Sequence, residues 1–126
     1  MTVVKRRPIV VAESSFLTGR LLVASLQAAG RPAVVGRDGD SVLRLLDTHA
    51  PDLLILNINL ARPNGIELLR TIKQRKQNLT ILAATAPGQA EVRAAAGALG
   101  VSEFMEYPFS PAELNDQVAR LLRDGP

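Results

Sequence analysis

The chain contains no cysteine, which excludes a disulfide framework and a thiolate metal site and removes the usual clue to redox compartment. It carries a single histidine, His49, so chemistry that needs an imidazole base has one position to draw on. No apolar run approaches the roughly 18 residues required of a membrane span. The amino terminus, MTVVKRRPIVVAES, lacks the length and small-residue cleavage site of a secretory signal. A cytoplasmic location is the expectation. Internal repeats and low-complexity tracts are missing too, and only the closing RDGP, residues 123–126, reads like the start of a linker.

What is present is 126 residues of 47% hydrophobic composition, enough for one domain around one core. The formal net charge is +3, yet the calculated pI is near 10.0 because arginine dominates the basic limb. A pI that high raises an anionic partner, but the positive residues are scattered. Lys5, Arg6 and Arg7 stand at the start; Lys73, Arg75 and Lys76 close a helical segment, where cations suit the negative end of the helix dipole. Charge therefore does not single out nucleic acid as a partner.

Short apolar runs alternate with helical patterns along the whole chain. PIVVA (8–12), PAVVG (32–36), DLLILN (52–57), LTILAAT (79–85) and VSEFME (101–106) read as strands. Between and after them lie five helical segments. The first starts at Ser14 or Ser15 and is stopped by Gly30; the second is DGDSVLRLLDTH before Pro51; the third is NGIELLRTIKQRK; the fourth is the alanine-rich stretch 89–99 closed by Gly100; the fifth is PAELNDQVARLLR. Alternating strands and helices imply right-handed crossovers and a parallel sheet covered on both faces. The near-continuous apolar strands agree with that burial. The predicted fold is a single three-layer (βα)5 sandwich over residues 1–126.

Open sheets of this kind place ligands and chemistry at the carboxyl ends of their strands. Ala12 and Glu13 end the first strand, Asn57 the third and Thr85 the fourth, while the fifth runs through Phe104 into Tyr107 and Pro108. Over its whole length the sequence resembles the receiver domain of bacterial two-component response regulators. Scaffold motifs carry the likeness: PDLLIL before the site, Asn64-Gly65 ending its loop, Thr85-Ala86, Gly100-Val101, Pro108-Phe109 and Glu113-Leu114. The resemblance implies a flavodoxin-like strand order, 2-1-3-4-5, and a cis bond at Tyr107-Pro108. It also implies two acidic residues after the first strand, a phosphoryl-accepting aspartate ending the third, Thr or Ser after the fourth, and Lys before the final proline. Here those places hold Ala12 and Glu13, Asn57, Thr85, and Tyr107. Only Glu13 and Thr85 match.

The amide of Asn57 is neutral, with delocalised lone pairs, and cannot attack phosphorus as a carboxylate does. Magnesium prefers an octahedral oxygen shell built on carboxylates. This pocket offers Glu13, the Asn57 amide and the Asn59 carbonyl, so neither a metal nor another cofactor is expected and Glu13 is only a weak metal candidate. An uncharged Tyr107 in place of lysine fits the loss of negative charge, since a buried cation without partners is costly; the competing reading has Tyr107 facing solvent. Glu13 is read as interacting with the amino terminus of the first helix, and Thr85 as capping the next helix or bonding Asn57. Phe104 takes the place of the aromatic that, in many receivers, moves on phosphorylation. The fourth helix presents Ala90, Ala94, Ala95, Ala96 and Ala98, which suit either close helix approach or simple helix propensity.

The expectation is a degenerate pseudo-receiver: not an enzyme, independent of phosphate, working through a protein partner or self-association without phosphotransfer from a histidine kinase. Family analogy places its interface around Arg93, Phe104 and Arg120. Two alternatives stay open. One is a sensor of an anionic nucleotide or phosphate ligand bound by Arg6, Arg7 and Arg31, whose guanidinium forks suit phosphate. The other is a receiver phosphorylated at an atypical residue, Ser14 or Ser15, although His49 should lie at the far end of its helix.

Overall fold

In a computed structural model of the chain, described for residues 7–60, 64–76 and 78–123, five strands and five helices alternate strictly. They are β1 (Ile9–Ala12), α1 (Phe16–Ala28), β2 (Ala33–Gly36), α2 (Gly39–His49), β3 (Leu53–Asn57), α3 (Gly65–Arg75), β4 (Thr80–Thr85), α4 (Ala90–Ala98), β5 (Glu103–Glu106) and α5 (Pro111–Arg123). The sheet is parallel throughout, in the order β2-β1-β3-β4-β5. The sandwich expected from sequence is therefore the observed architecture.

The strands are apolar because both faces of the sheet are covered. Alternate residues point into separate cores. Val10, Leu54, Leu56 and Ile81 join Val42 and Leu46 of α2, Leu68, Leu69 and Ile72 of α3, and Ala96 of α4. Ile9, Val11, Leu53, Ile55 and Leu82 join Leu22 and Leu26 of α1 and Leu114 and Val118 of α5. Two helices thus cover one face and three the other.

Helix starts are set by short polar side chains that take up otherwise unpaired backbone donors. The Ser15 hydroxyl accepts from the N–H of Thr18 at 3.2 Å, Asp38 from Ser41 at 2.8 Å, and Asn64 from Glu67 at 2.9 Å. Ser15, rather than Ser14, is the cap of α1. α2 ends at Ala50, which takes a left-handed φ of 42° just before Pro51. β5 begins two residues later than its apolar pattern suggests: the Val101 N–H still donates back to Ala96 O in the turn that leaves α4, and the Ser102 N–H makes the first bond to β4, at Ile81 O.

α4 differs from the other helices. Among its residues only Ala96 is buried, and its amino end has no side-chain cap. The alanines read as one candidate contact surface are thus split by the packing. Ala96 faces the core, while Ala90, Ala94, Ala95 and Ala98 are exposed. The Tyr107-Pro108 bond is cis. No helix among the described residues is long and apolar enough to cross a membrane.

Candidate functional site

Parallel pairing brings the ends of β1, β3, β4 and β5 to one edge, and at that edge the polar groups converge on one carboxylate. Glu13 follows β1 and is only 2% exposed. Its Oε1 accepts from Asn57 Nδ2 at 2.9 Å and from the Tyr107 hydroxyl at 3.1 Å. Its Oε2 accepts from Asn57 Nδ2 at 3.1 Å and from the backbone N–H of Ser15 at 3.0 Å. The last bond ties the carboxylate to the cap residue of α1. A buried carboxylate is expensive unless its oxygens are hydrogen-bonded. Here an amide, a phenol and a backbone N–H satisfy it, all uncharged.

The orientation of Asn57 follows from its neighbours. Its Oδ1 accepts from the N–H of Asn59 at 2.9 Å, which leaves the amide nitrogen facing Glu13. Turned the other way, the amide oxygen would meet the carboxylate and its NH2 would meet an N–H. Asn57 is thereby a donor to the charge, not a nucleophile beside it.

Tyr107 is half-buried, and its ring lies 4.8 Å from that of Phe109, tilted by 30°. Burial first, then the charge of Glu13 and the hydrogen bond to it, hold the phenol well above its ordinary value of 10.0. The reading of Tyr107 as a solvent-facing residue is corrected here, because its hydroxyl is committed to Glu13. A raised folded-state value means that the unfolded chain releases this proton first as the solution is made alkaline. The stabilisation is fully present below about pH 10 and is lost progressively as pH rises toward the folded-state value. Tyr107 is the only tyrosine and the chain has no tryptophan, so the ultraviolet phenolate band reports on this one group. It should not develop near pH 10 in the native protein and should appear together with unfolding. Phenolate absorbance that rises near pH 10 without unfolding would show that the phenol is not held by Glu13.

The remaining sequence candidates fall into place around this cluster. Ala12 is wholly buried and supplies only bulk to the sheet. Thr85 is fully buried, and its hydroxyl donates to the carbonyl of Met105 at 3.4 Å. The expectation that it caps α4 or bonds Asn57 is corrected, since the hydroxyl turns sideways to the neighbouring strand. Asn59 turns away from Glu13 to pair its side-chain amide with Gln89, at 3.1 and 2.8 Å. Sequence reading missed Gln89, which looks like ordinary helix.

Phe104 is half-buried against the α2-α3-α4 layer, and the guanidinium carbon of Arg93 stands 5.1 Å from its ring centroid. Arg93 also reaches Glu106 at 3.9 Å, and Arg120 is ion-paired with Glu103. Arg93 and Phe104 thus stand together beside α4, while Arg120 is tied to the start of β5 from α5. Of the proposed phosphate-binding arginines, Arg7 already has partners. Arg7 is paired with Asp52 at 3.7 Å and donates to the Ala50 carbonyl at 3.1 Å, while Arg6 lies outside the described residues. His49 sits in the last turn of α2, at the sheet edge opposite Asn57, and Ser14 is exposed.

The donor set does not fit a divalent cation. No group of three histidine, aspartate or glutamate side chains among the described residues stands ready to hold a metal. Hydrogen-bond donors, not open space, face both oxygens of the one carboxylate present.

Residues 9–119 match the profile of the response regulator receiver domain. The chain is 33% identical over 119 residues to the alkaline phosphatase synthesis transcriptional regulatory protein PhoP of Bacillus subtilis, covering 94% of this chain and 49% of that protein. It is 32% identical over 117 residues to the transcriptional regulatory protein CusR of Escherichia coli, covering 93% of this chain and 52% of that one. The chain thus spans about half the length of these curated relatives. Among solved structures, the receiver domain of NtrX from Brucella abortus superposes with a TM-score of 0.88 at 28% identity, over 93% of this chain and 99% of that one. A putative response regulator from Chloroflexus aurantiacus gives 0.86 at 25% identity, over 94% and 99%. In sequence and in fold, the chain belongs to the response regulator receiver family.

Proposed function

We propose that this receiver domain signals without accepting phosphate, as a pseudo-receiver acting through protein-protein interaction or self-association. The observation that carries this reading is the closed hydrogen-bond set Glu13–Asn57–Tyr107. Acyl phosphate formation needs an anionic oxygen at the end of β3, and Asn57 instead presents an amide nitrogen committed to Glu13. With Glu13 as its one carboxylate and no lysine, the pocket keeps a single negative charge, met by neutral donors, and no positive one. The domain is accordingly no enzyme, and transfer from a histidine kinase has no acceptor at this position.

An unphosphorylated domain has no ligand to bias one conformation over another, because a switch needs differential affinity for its states. Phe104, packed under Arg93, is therefore held in one arrangement. The region around Arg93, Phe104 and Arg120 is the interaction surface of this reading. PhoP and CusR are named as transcriptional regulatory proteins, which suits a role in controlling an output, by itself or through a partner. For the phosphate-ligand alternative, the exposed pairing with Asp52 occupies Arg7, one of its three arginines.

Incubation with acetyl phosphate and magnesium, followed by intact mass, tests the proposal. The expected spectrum shows the unmodified protein alone. A stoichiometric phosphoryl adduct would overturn the reading, and peptide mapping would show which residue accepts the group.

A further inference from the structure

Two side-chain amides that face each other in opposite directions make a reciprocal pair, each donating to the other. Asn59 and Gln89 do this across 30 residues of chain: Asn59 Nδ2 donates to Gln89 Oε1 at 3.1 Å, and Gln89 Nε2 donates to Asn59 Oδ1 at 2.8 Å. Gln89 Oε1 accepts a further bond, from the N–H of Ala86 at 2.7 Å. One side chain therefore folds the loop from Ala86 to Gln89 onto itself, through Gly88 at φ 79°, and ties it to the loop after β3.

The position of Gln89 gives this pair its consequence. Gln89 is the residue immediately before α4, and its side chain makes no capping bond to that helix. α4 is poorly anchored by burial: Ala96 alone is fully enclosed, and Val92 and Leu99 pack only partly against the core. α3, by contrast, buries Gly65, Leu68, Leu69 and Ile72. An element with few buried apolar contacts opens at low free-energy cost, so polar ties at its start weigh more in fixing where it lies. The free end of the tie is equally well placed. The Asn59 backbone N–H donates to Asn57 Oδ1 at 2.9 Å, which fixes the residue whose side chain reaches Gln89. Arg93, one turn into α4, stacks on Phe104 and reaches Glu106. Wherever α4 sits, it sets what the α4-β5 face presents.

We propose that the Asn59–Gln89 pair is a tether that holds α4 in place and so fixes the α4-β5 face, with no phosphoryl group involved. The tether stands apart from the question of phosphate acceptance, since it rests on two neutral amides and would operate in either case.

Hydrogen exchange with peptide-level mass readout tests it, on the whole chain as wild type, Asn59→Ala, Gln89→Ala and the double variant, alongside urea midpoints. Asn59→Ala is the informative single change, because it leaves both the bond from Ala86 to Gln89 and the backbone bond to Asn57 in place. Exchange in α4 should speed up about two- to tenfold in Asn59→Ala, the range expected for a net hydrogen-bond contribution, while peptides of α1 and α2 keep their wild-type rates. The double variant should exchange no faster in α4 than Gln89→Ala, because the second substitution has no pair left to break. Unchanged α4 exchange in Asn59→Ala overturns the proposal. So does acceleration spread evenly over all helices with a lowered urea midpoint, which would mark a general stability defect, or a double variant in which the two effects simply add.

Discussion

Asn57→Asp should destabilise the domain by about 2–4 kcal/mol at neutral pH in the absence of divalent cations, as judged from breaking a buried, hydrogen-bonded charge site and trimmed because Asn57 is partly exposed. The substitution changes few atoms but reverses the electrostatics. A carboxylate oxygen would stand where Nδ2 now lies, 2.9 and 3.1 Å from the two oxygens of Glu13. Two donated bonds would become a contact between like charges, leaving Tyr107 and Ser15 as the donors to Glu13. One carboxyl of the pair must then keep its proton to a higher pH than in the unfolded chain. A folded-state value raised in this way costs nothing at low pH and costs more as pH rises from about 4 through the folded-state value. The gap between variant and wild type should therefore close on acidification. Magnesium should raise the variant's urea midpoint, since two carboxylates restore part of an oxygen shell, and should leave wild type unmoved. A variant as stable as wild type at pH 7 without magnesium would show that the donors around Glu13 are not what keeps the pocket closed.

Gly65→Ala should cost about 3 kcal/mol or more, because the clash it creates is with backbone and cannot be relieved by a rotamer change. A Cβ at Gly65 would stand 2.1 Å from the Ile58 carbonyl oxygen, 2.5 Å from its carbon and 2.7 Å from its Cα. Gly65 is the first residue of α3, directly after its Asn64 cap, so the only escape is to shift the helix or the end of the site loop. Gly97→Ala is the matched control. Nothing lies within 4 Å of its Cβ, it is exposed within α4, and alanine there should stabilise by about 0.5–1 kcal/mol. Urea midpoints, with slopes compared to check that unfolding stays two-state, should move in opposite directions for the two variants. Equal midpoints would mean that α3 can begin elsewhere without loss.

The fold was legible because β1 to β4 are short apolar runs with Gly, Pro, Asn or Asp close to one end or both, and because each helix carries its own stop or start signal. Asn64-Gly65 is an example: the asparagine caps and the glycine permits the close approach to Ile58. The site was legible only as a set of positions. That Asn57 ends β3 and Tyr107 follows β5 could be read; that both donate to Glu13 could not, for the donors lie 2, 44 and 94 residues away along the chain. Only strand order brings them together. Thr85 misled for a similar reason, since a threonine at a strand end suits a cap, and its actual partner is the Met105 carbonyl on the adjoining strand. Gln89 gave no signal, because an amide beside an alanine-rich helix looks like solvent-facing surface until the loop after β3 is seen beside it.

The division of the interior by the sheet bears on how this domain tolerates change. Val10 and Val11 are neighbours in the chain, yet one belongs with the α2-α3-α4 layer and the other with the α1-α5 layer. A cavity opened beneath one valine has no side chain on the opposite face that can move in to fill it. Losses in the two layers should accumulate independently, whereas losses within a layer can compensate one another. Sequence drift on the α4 side can then proceed without demanding matching change beneath α1, so the outer surface of α4 can be retuned while the other layer of the core stays as it is.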